Sequence, residues 1–320
     1  MKNPKELRIV FMGTPEFATT ILKKLVTTNH TVVACVTVPD KPAGRGRKLQ
    51  ESDVKNYATT VGLPVLQPEK LKDPEFISAL KTYEADLFIV VAFRMLPKVV
   101  WELPPLGTFN LHGSLLPQYR GAAPINWAVM NGEKETGVTT FFINEEIDTG
   151  DILLQAKLPI GADETVGEVH DKMMHLGATV VVETVQQLAN NTLTSQPQQH
   201  SGDLLPAPKL FKNDCKLDLN SSPEKAHNFI RGLSPYPTAW ITLKNTQKEE
   251  VKTLKIFRSK LTNEEIPSDN PQLIHQNKRL FISLKQGALE LLEVQLEGKK
   301  RLPAKAFLAG FNVEEWEVGE

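Results

Sequence analysis

Apolar runs of strand length recur in the first part of the chain with helix-length segments between them, and that alternation fixes the kind of sheet they can build. Residues 7–12 (LRIVFM), 31–38 (TVVACVTV) and 86–92 (DLFIVVA) are apolar nearly throughout rather than at every second position. Such runs mark strands buried on both faces. After the first run, Gly13-Thr14-Pro15 leads into a segment with Phe17, Ile21, Leu22 and Leu25 at helical spacing. Thr14 is expected to cap that helix and Pro15 to open it. β-α-β with buried strands predicts an α/β fold, a Rossmann-like parallel sheet with helices on its faces. Residues 86–92 should be its central strand. Helices are expected at 53–60, 73–80 and 98–101, and a short strand at 64–66.

The most polar strand end lies in residues 107–124, GTFNLHGSLLPQYRGAAP. A short strand through Thr108, Phe109 and Leu111 runs into a loop, and a helix can start after Gly121. Alternation along an extended chain puts Asn110, His112 and Ser114 on one side. An amide, an imidazole and a hydroxyl grouped at a strand end are costly unless hydrogen-bonded or in use. The stretch alone allows either a satisfied strand end or a reactive site.

Residues 144–151 (NEEIDTGD) carry four carboxylates between strands expected at 137–143 and 152–160. Loops at the carboxyl ends of parallel strands converge where ligands bind, so Asn110, His112 and Asp148 are expected to meet there. A carboxylate beside an imidazole orients it and favours its charged form, which suits proton transfer near neutral pH. An amide N–H can steady an oxygen that gains charge. With no activated serine or cysteine in the set, the expected chemistry is attack by an external nucleophile on a carbonyl. No metal is expected. His112 has no second histidine at ligand spacing, and His170 and His175 fall on a helix expected at 165–189.

Residues 39–48, PDKPAGRGRK, combine two prolines and two glycines with Lys41, Arg45, Arg47 and Lys48. Regular structure is not expected there. Such a loop is either solvated surface or a contact for a phosphate backbone, which makes it a candidate RNA-binding element. A net charge of −1 excludes a basic protein overall but not a local basic patch. Pro15 stands where a G-x-G-x-x-G turn would need its second glycine, so nicotinamide-nucleotide binding is not indicated. Cys35 and Cys215 show neither disulfide nor metal spacing, which fits the reducing cytoplasm. No apolar run approaches the ~20 residues of a membrane span, and the N-terminal run is too short for a secretory leader.

Residues 191–208 are polar and proline-punctuated without periodicity, so they read as a linker between a first domain at 1–190 and a second at 209–320. The second should hold a helix at 223–233, a turn at Ser234-Pro235-Tyr236-Pro237, and short strands near 239–243, 253–257, 280–284 and 288–294. That pattern predicts a small C-terminal β-barrel, OB-like. Lysines and arginines outnumber carboxylates there by only 18 to 15, so a positive face is allowed rather than required.

Taken together, Asn110, His112, the run SLLP at Ser114, Leu115, Leu116 and Pro117, Arg120-Gly121, and IDTGDI at 147–152 resemble the folate-dependent formyltransferases. MGTPEFA at 12–18, the basic loop, and NFIRGLSPYPTAW at 228–240 are similar to the branch of that family that formylates methionyl-tRNA. The resemblance implies 10-formyltetrahydrofolate as cosubstrate without a metal, and initiator methionyl-tRNA as acceptor. Asn110, His112 and Asp148 would be catalytic. It implies a folate site from Ser114, Leu115, Leu116 and Pro117, whose backbone could pair with the pterin ring, and from a wall including Val91, Phe93 and Leu96. Lys41, Arg45, Arg47 and Lys48, with the C-terminal domain, would meet the tRNA. A cytoplasmic monomer is expected. Phe93 and Arg94 stand where many relatives have Tyr and Gly, and Lys41 where they often have Arg.

Two other readings stand beside this one. One is formyl transfer to a nucleotide-linked amino sugar, and the other is a noncatalytic RNA-binding protein using the basic loop and barrel. The basic loop and the PYPTAW run favour tRNA, and the presence of all three polar residues favours catalysis.

Overall fold

The computed structural model describes residues 6–43, 48–199, 202–245, 247–264, 266 and 270–319. The chain divides into two compact units, one formed by residues 1–121, 137–158 and 171–206, the other by 122–136, 159–170 and 207–320.

The elements begin with β1 (Arg8–Gly13), α1 (Glu16–Leu25), β2 (Thr31–Val36), β3 (Lys41–Ala43), β4 (Lys48–Gln50), α2 (Asp53–Thr60) and β5 (Val65–Leu66). Then come α3 (Pro74–Thr82), β6 (Leu87–Val91), α4 (Lys98–Trp101), β7 (Thr108–His112), α5 (Pro124–Met130), β8 (Glu135–Phe142), β9 (Ile152–Pro159) and α6 (Val166–Ala189). The first unit is built on a seven-stranded sheet in the order β5-β2-β1-β6-β7-β8-β9. Its first five strands are parallel. Strand β6 is central, and all five of its residues are buried. On one face Val10, Met12, Phe88 and Val90 pack with Phe76 and Leu80. Helix α1 buries Phe17, Ile21, Leu22 and Leu25. Each large side chain so buried contributes about 2 kcal/mol.

Strand order reverses between β1 and β6, and in open α/β sheets the ligand crevice lies at the carboxyl ends of such a pair. Gly13, opposite Val91, sits at that point. A Cβ on Gly13 would fall 2.5 Å from Ala18 Cβ and 3.0 Å from the Val91 carbonyl oxygen. Only glycine lets the first turn of α1 approach β6 this closely.

Several local expectations need correction. Helix α1 begins at Glu16 with an extended Pro15 at its cap position (ψ 178°), so Thr14 does not cap it. Ser52 and Asp73 do cap α2 and α3. The basic loop carries regular structure at its base, where Lys41 pairs with Gln50 and Ala43 with Lys48. A two-stranded ribbon has two free edges and tolerates a proline whose missing N–H faces outward. Asp40 anchors that base, accepting from Lys55 Nζ (2.5 Å) and Gln67 Nε2 (2.7 Å). Lys55 and then Gln67 hold its carboxyl below the usual range. The tip, with Arg45 and Arg47, lies outside the described residues. Finally, β8 runs antiparallel to β7, entering with Thr139 opposite His112 and leaving with Phe142 opposite Phe109. The chain between them does not cross back over the sheet, so β8 starts at the edge where β7 stops.

The second unit holds α5, α7 (Pro223–Leu233), β10 (Ala239–Asn245), β11 (Glu250–Leu261), β12 (Leu273–Gln276), β13 (Arg279–Leu284), β14 (Gly287–Leu296), β15 (Leu302–Pro303), α8 (Ala304–Leu308) and β16 (Glu317–Gly319). Its antiparallel sheet runs β12-β13-β14-β11-β10-β16, with β15 on β14. Register shifts beside Arg258 break the β11–β14 ladder, and such bulges bend a sheet, here into a curled half-barrel. Alternation turns Ala239, Ile241 and Leu243 inward, where they share a core with Ala226, Ile230 and Leu233 of α7.

Glu168 and Thr165 form a capping box at the start of α6. Glu168 Oε2 accepts from the Thr165 N–H and hydroxyl (both 2.8 Å), and its other oxygen accepts from Arg258 (2.8 Å). Partial burial opposes the charged form, but these bonds outweigh it and hold Glu168 at about 2, against 4.5 ordinarily. A depressed carboxyl stabilises the fold above its unfolded pKa and loses that contribution as pH falls through the folded one. Stability, measured by unfolding followed by circular dichroism, should therefore fall as pH is lowered from 4.5 to about 2. Glu168→Gln should flatten that part of the curve by about 1 kcal/mol or less, because the pair is half exposed. An unchanged acid limb would remove this role.

Among the described residues, no helix is long and apolar enough to cross a membrane.

Candidate active site

Asn110 and His112 both lie on β7, and alternation puts them on one face near its carboxyl end. His112 is buried. Its Nε2 lies 2.8 Å from the Tyr119 carbonyl oxygen. A carbonyl only accepts, so Nε2 carries a hydrogen and Nδ1 is the nitrogen left for chemistry. Asp148 Oδ2 stands 3.8 Å from Nδ1. Two acceptors facing each other at that distance form no hydrogen bond until one gains a proton. The same Oδ2 accepts from the Gly121 N–H at 2.9 Å.

Asp148 reaches His112 by a different route from the one expected. Because β8 is antiparallel, the turn that follows it leaves opposite Phe109, at the amino end of β7. His112 is about 10 Å further along that strand, at ~3.3 Å per residue. The turn must fold back along the sheet to bring Asp148 there. Asp148 takes φ 55° in doing so, Tyr119 takes φ 60°, and Ala92, just past β6, takes φ 47°. Left-handed conformations are rare outside glycine, and persist where surrounding structure holds them, as at functional sites.

Asn110 Oδ1 is buried and has no partner. A buried acceptor without a partner carries a desolvation penalty of about 1–3 kcal/mol, so this oxygen fits a ligand group that donates to it. Ser114 differs from expectation. Strand β7 stops at His112, and Ser114 lies on a bend where its hydroxyl donates to the Gln118 carbonyl (2.6 Å). The Ser114 carbonyl accepts from Thr139 Oγ1, the Leu116 N–H donates to that same hydroxyl, and the Leu116 carbonyl accepts from Gln155. Side chains of β8 and β9 thus hold the Ser114 carbonyl and both backbone groups of Leu116, and Leu116 is buried while Leu115 and Pro117 are half-buried.

Of the expected wall, Val91 and Leu96 are buried and Phe93 is half-buried. Leu96 borders a pocket of about 570 Å³ with Leu71, Lys72, Met95, Pro97, Lys98 and Val99. Arg94 donates to the carbonyls of Pro68 (2.8 Å) and Glu69 (3.0 Å), so it ties this wall to the segment before α3. Lys41 is exposed, and of Lys48 only the backbone is described.

Sequence reasoning missed Gln198. Its Nε2 donates to the carbonyls of Asp148 (2.9 Å) and Gly150 (2.8 Å), and its Oε1 accepts from Arg120 Nη2 (2.7 Å) and Nε (3.2 Å). A glutamine in a polar, aperiodic segment carries no local signal. Arg120, inside the motif, was the one available hint.

The family model for formyl transferases matches residues 7–185, and that for the formyl transferase C-terminal domain matches 209–312. The chain belongs to the formyl transferase family. A methionyl-tRNA formyltransferase of Bacteroides fragilis is 52% identical over 315 residues, covering 97% of each chain. One from Flavobacterium johnsoniae is 50% identical over 306 residues and 96% of each chain. Among solved structures, the sugar 3N-formyl transferase WlaRD shares the fold at a TM-score of 0.64 and 21% identity, covering 92% of this chain and 100% of that one. HypX from Aquifex aeolicus, in complex with tetrahydrofolic acid, matches at 0.64 and 17%, over 95% of this chain and 47% of that one. In this family member His112 and Asp148 face each other at the carboxyl end of β7, the strand that also carries Asn110.

Proposed function

We propose that this formyl transferase moves the formyl group of 10-formyltetrahydrofolate to the α-amino group of methionine on initiator methionyl-tRNA. The observation that carries the reading is the near-complete match, at about half identity, to relatives named methionyl-tRNA formyltransferase. The meeting of His112 with Asp148 supports it. Identity favours tRNA over a sugar acceptor, at about half to the methionyl-tRNA formyltransferases against 21% to the sugar 3N-formyl transferase, and residues 209–320, which include the C-terminal domain match, would be the tRNA-binding domain.

When bound, the folate supplies the formyl carbon as electrophile. A free α-amino group has a pKa near ~7.7–8.0, so much of it is neutral and nucleophilic at working pH. Asn110 turns its amide N–H toward the oxygen that gains charge. His112, protonated at Nδ1, is the second donor to that oxygen. Asp148 offsets the positive ring and, with His112, carries the proton lost by the amine toward the departing folate nitrogen. Val91, Phe93 and Leu96, with the turn of Ser114, Leu115, Leu116 and Pro117, give the folate an apolar seat. The Ser114 carbonyl and the Leu116 N–H and carbonyl are already bonded to Thr139 and Gln155, so pairing with the pterin ring falls to the remaining backbone groups of the turn.

The deciding experiment supplies purified protein with labelled 10-formyltetrahydrofolate and charged initiator tRNA, and counts acid-precipitable formyl. Absence of transfer would overturn the reading. Lys41, Arg45, Arg47 and Lys48 are proposed to meet tRNA phosphates. Replacing both Arg45 and Arg47 by alanine should raise KM for tRNA. It should also flatten the dependence of log K on log salt by about 1 for each arginine, with kcat at saturation retained. An unchanged salt slope would remove the loop from the RNA contact.

A further inference from the structure

Residues 196–199 and 202–206 follow α6 outside the helices and sheet strands, yet they reach both halves of the site. Gln196 and Ile152 exchange two backbone hydrogen bonds (2.8 and 2.9 Å), which brings Gln198 beside Gly150. Further on, the Leu205 carbonyl accepts from the Tyr119 N–H (2.7 Å), and the Leu205 N–H donates to Gln118 Oε1 (2.8 Å).

The geometry points to Gln198 as a positioning residue of the formyl-transfer site, one that holds the 148–150 turn back against β7 so that the Asp148 carboxylate stays beside His112. The orientation of its amide is fixed by chemistry, since a guanidinium only donates and the two backbone carbonyls only accept. Arg120 therefore pins the oxygen, and the nitrogen is aimed at Asp148 and Gly150. Gly121, the next residue, holds the Asp148 carboxylate through its N–H. Adjacent residues thus fix the two ends of one aspartate, Gly121 directly at the carboxylate and Arg120 through Gln198 at the carbonyl. The turn needs this hold. It runs back some distance along the strand, and Asp148 itself takes a left-handed conformation that a free turn would leave. A displacement of about 1 Å at a reacting group can cost about a hundredfold in rate.

The inference rests on the proposed formyl transfer, and its test separates the two. Wild-type protein that transfers no formyl to methionyl-tRNA would count against the function. In active enzyme, Gln198→Ala should lower kcat about a hundredfold with both KM values within about twofold. Because Gln198 acts through Asp148, the same change in an Asp148→Ala background should remove little further activity. A wild-type rate in Gln198→Ala, or an equal loss on top of Asp148→Ala, would overturn the proposal. Should Gln198→Ala fail to fold, Gln198→Glu keeps the size and the Arg120 partner but turns an acceptor on two carbonyls. A wild-type rate in that variant would overturn it equally. A second readout needs no substrate. The His112 ring resonances in the NMR spectrum of the full chain should move in Gln198→Ala and stay in place in Gly310→Ala, and identical His112 resonances in both would also overturn the proposal.

Discussion

Asp148→Asn should lower kcat for formyl transfer by about two to four orders of magnitude, the range for loss of a positioned proton-transfer group, while the protein melts where wild type does. The substitution keeps shape and size. Asp148 Oδ2 is both the acceptor for the Gly121 N–H at 2.9 Å and the atom 3.8 Å from His112 Nδ1. An asparagine oxygen in the same place still accepts from Gly121, so the turn keeps that link, and the carbonyl of residue 148 still accepts from Gln198. What disappears is the negative charge and the ability to take a proton. A neutral amide neither offsets a charge forming on the imidazole nor relays its proton, and the loss should appear in kcat with KM for folate and tRNA nearly unchanged. Rates from single-turnover transfer to charged tRNA, beside a thermal melt, separate these effects. Full activity in Asp148→Asn would end the proton chemistry proposed for this site.

The first unit was legible because its strands are buried on both faces. The runs at 7–12, 31–38 and 86–92 had no amphipathic alternative, and β1, β2 and β6 lie where those runs are. Asn110 and His112 were legible for a related reason. An amide and an imidazole following Thr108 in alternation with apolar Phe109 and Leu111 mark one face of the strand as polar. Asp148 was expected beside His112 and lies there, but the route that brings it there was not legible. Its position depends on β8 running antiparallel, and the 137–143 run reads the same in either direction. Ser114 was misplaced because alternation was carried two residues beyond the end of the strand, into a loop with hydrogen bonds of its own. Gln198 lay beyond reach altogether, since its role is a tertiary hydrogen-bond pattern with no period or composition behind it. The hairpin under the basic loop shows the reverse error. Proline and glycine at 42, 44 and 46 argued against order, yet Lys55 and Gln67, from outside the loop, fix its base through Asp40.

What these misses share is that the site is assembled from loops whose shape is set by contacts rather than propensity. Ala92, Tyr119 and Asp148 all hold left-handed conformations around β6 and β7. None is a glycine, so each is held there against local preference by about 1–2 kcal/mol. Held strain of this kind is common where an active site needs groups in one geometry before substrate arrives. In the carboxylate turn, the position with least room for a side chain is a glycine, Gly150.

Gly150→Ala should accordingly be the most damaging single-methyl change in the carboxylate turn. A Cβ there would stand 1.7 Å from the carbonyl oxygen of Phe142 and 2.8 Å from its carbonyl carbon. Neither can move aside cheaply. Phe142 is in the β8 ladder opposite Phe109, and its N–H donates to the Asp151 carbonyl at 3.0 Å. The turn itself has to lift away, and with it the Asp148 and Gly150 carbonyls bonded by Gln198. Overpacking against a fixed backbone costs about 3 kcal/mol or more, which for a unit of this size lowers the unfolding midpoint by about 10 °C. A carboxylate displaced by about 1 Å adds a kcat loss of about a hundredfold. Gly310→Ala is the control, because nothing lies within 4 Å of a Cβ at that position. It should melt and turn over like wild type. The two kinds of loss also tell Gly150→Ala from Asp148→Asn: the alanine variant should be less stable and less active together, the asparagine variant less active alone. If Gly150→Ala melted with wild type, the turn would not be seated against β8 as closely as these distances require, and the hold on Asp148 would have to come from elsewhere.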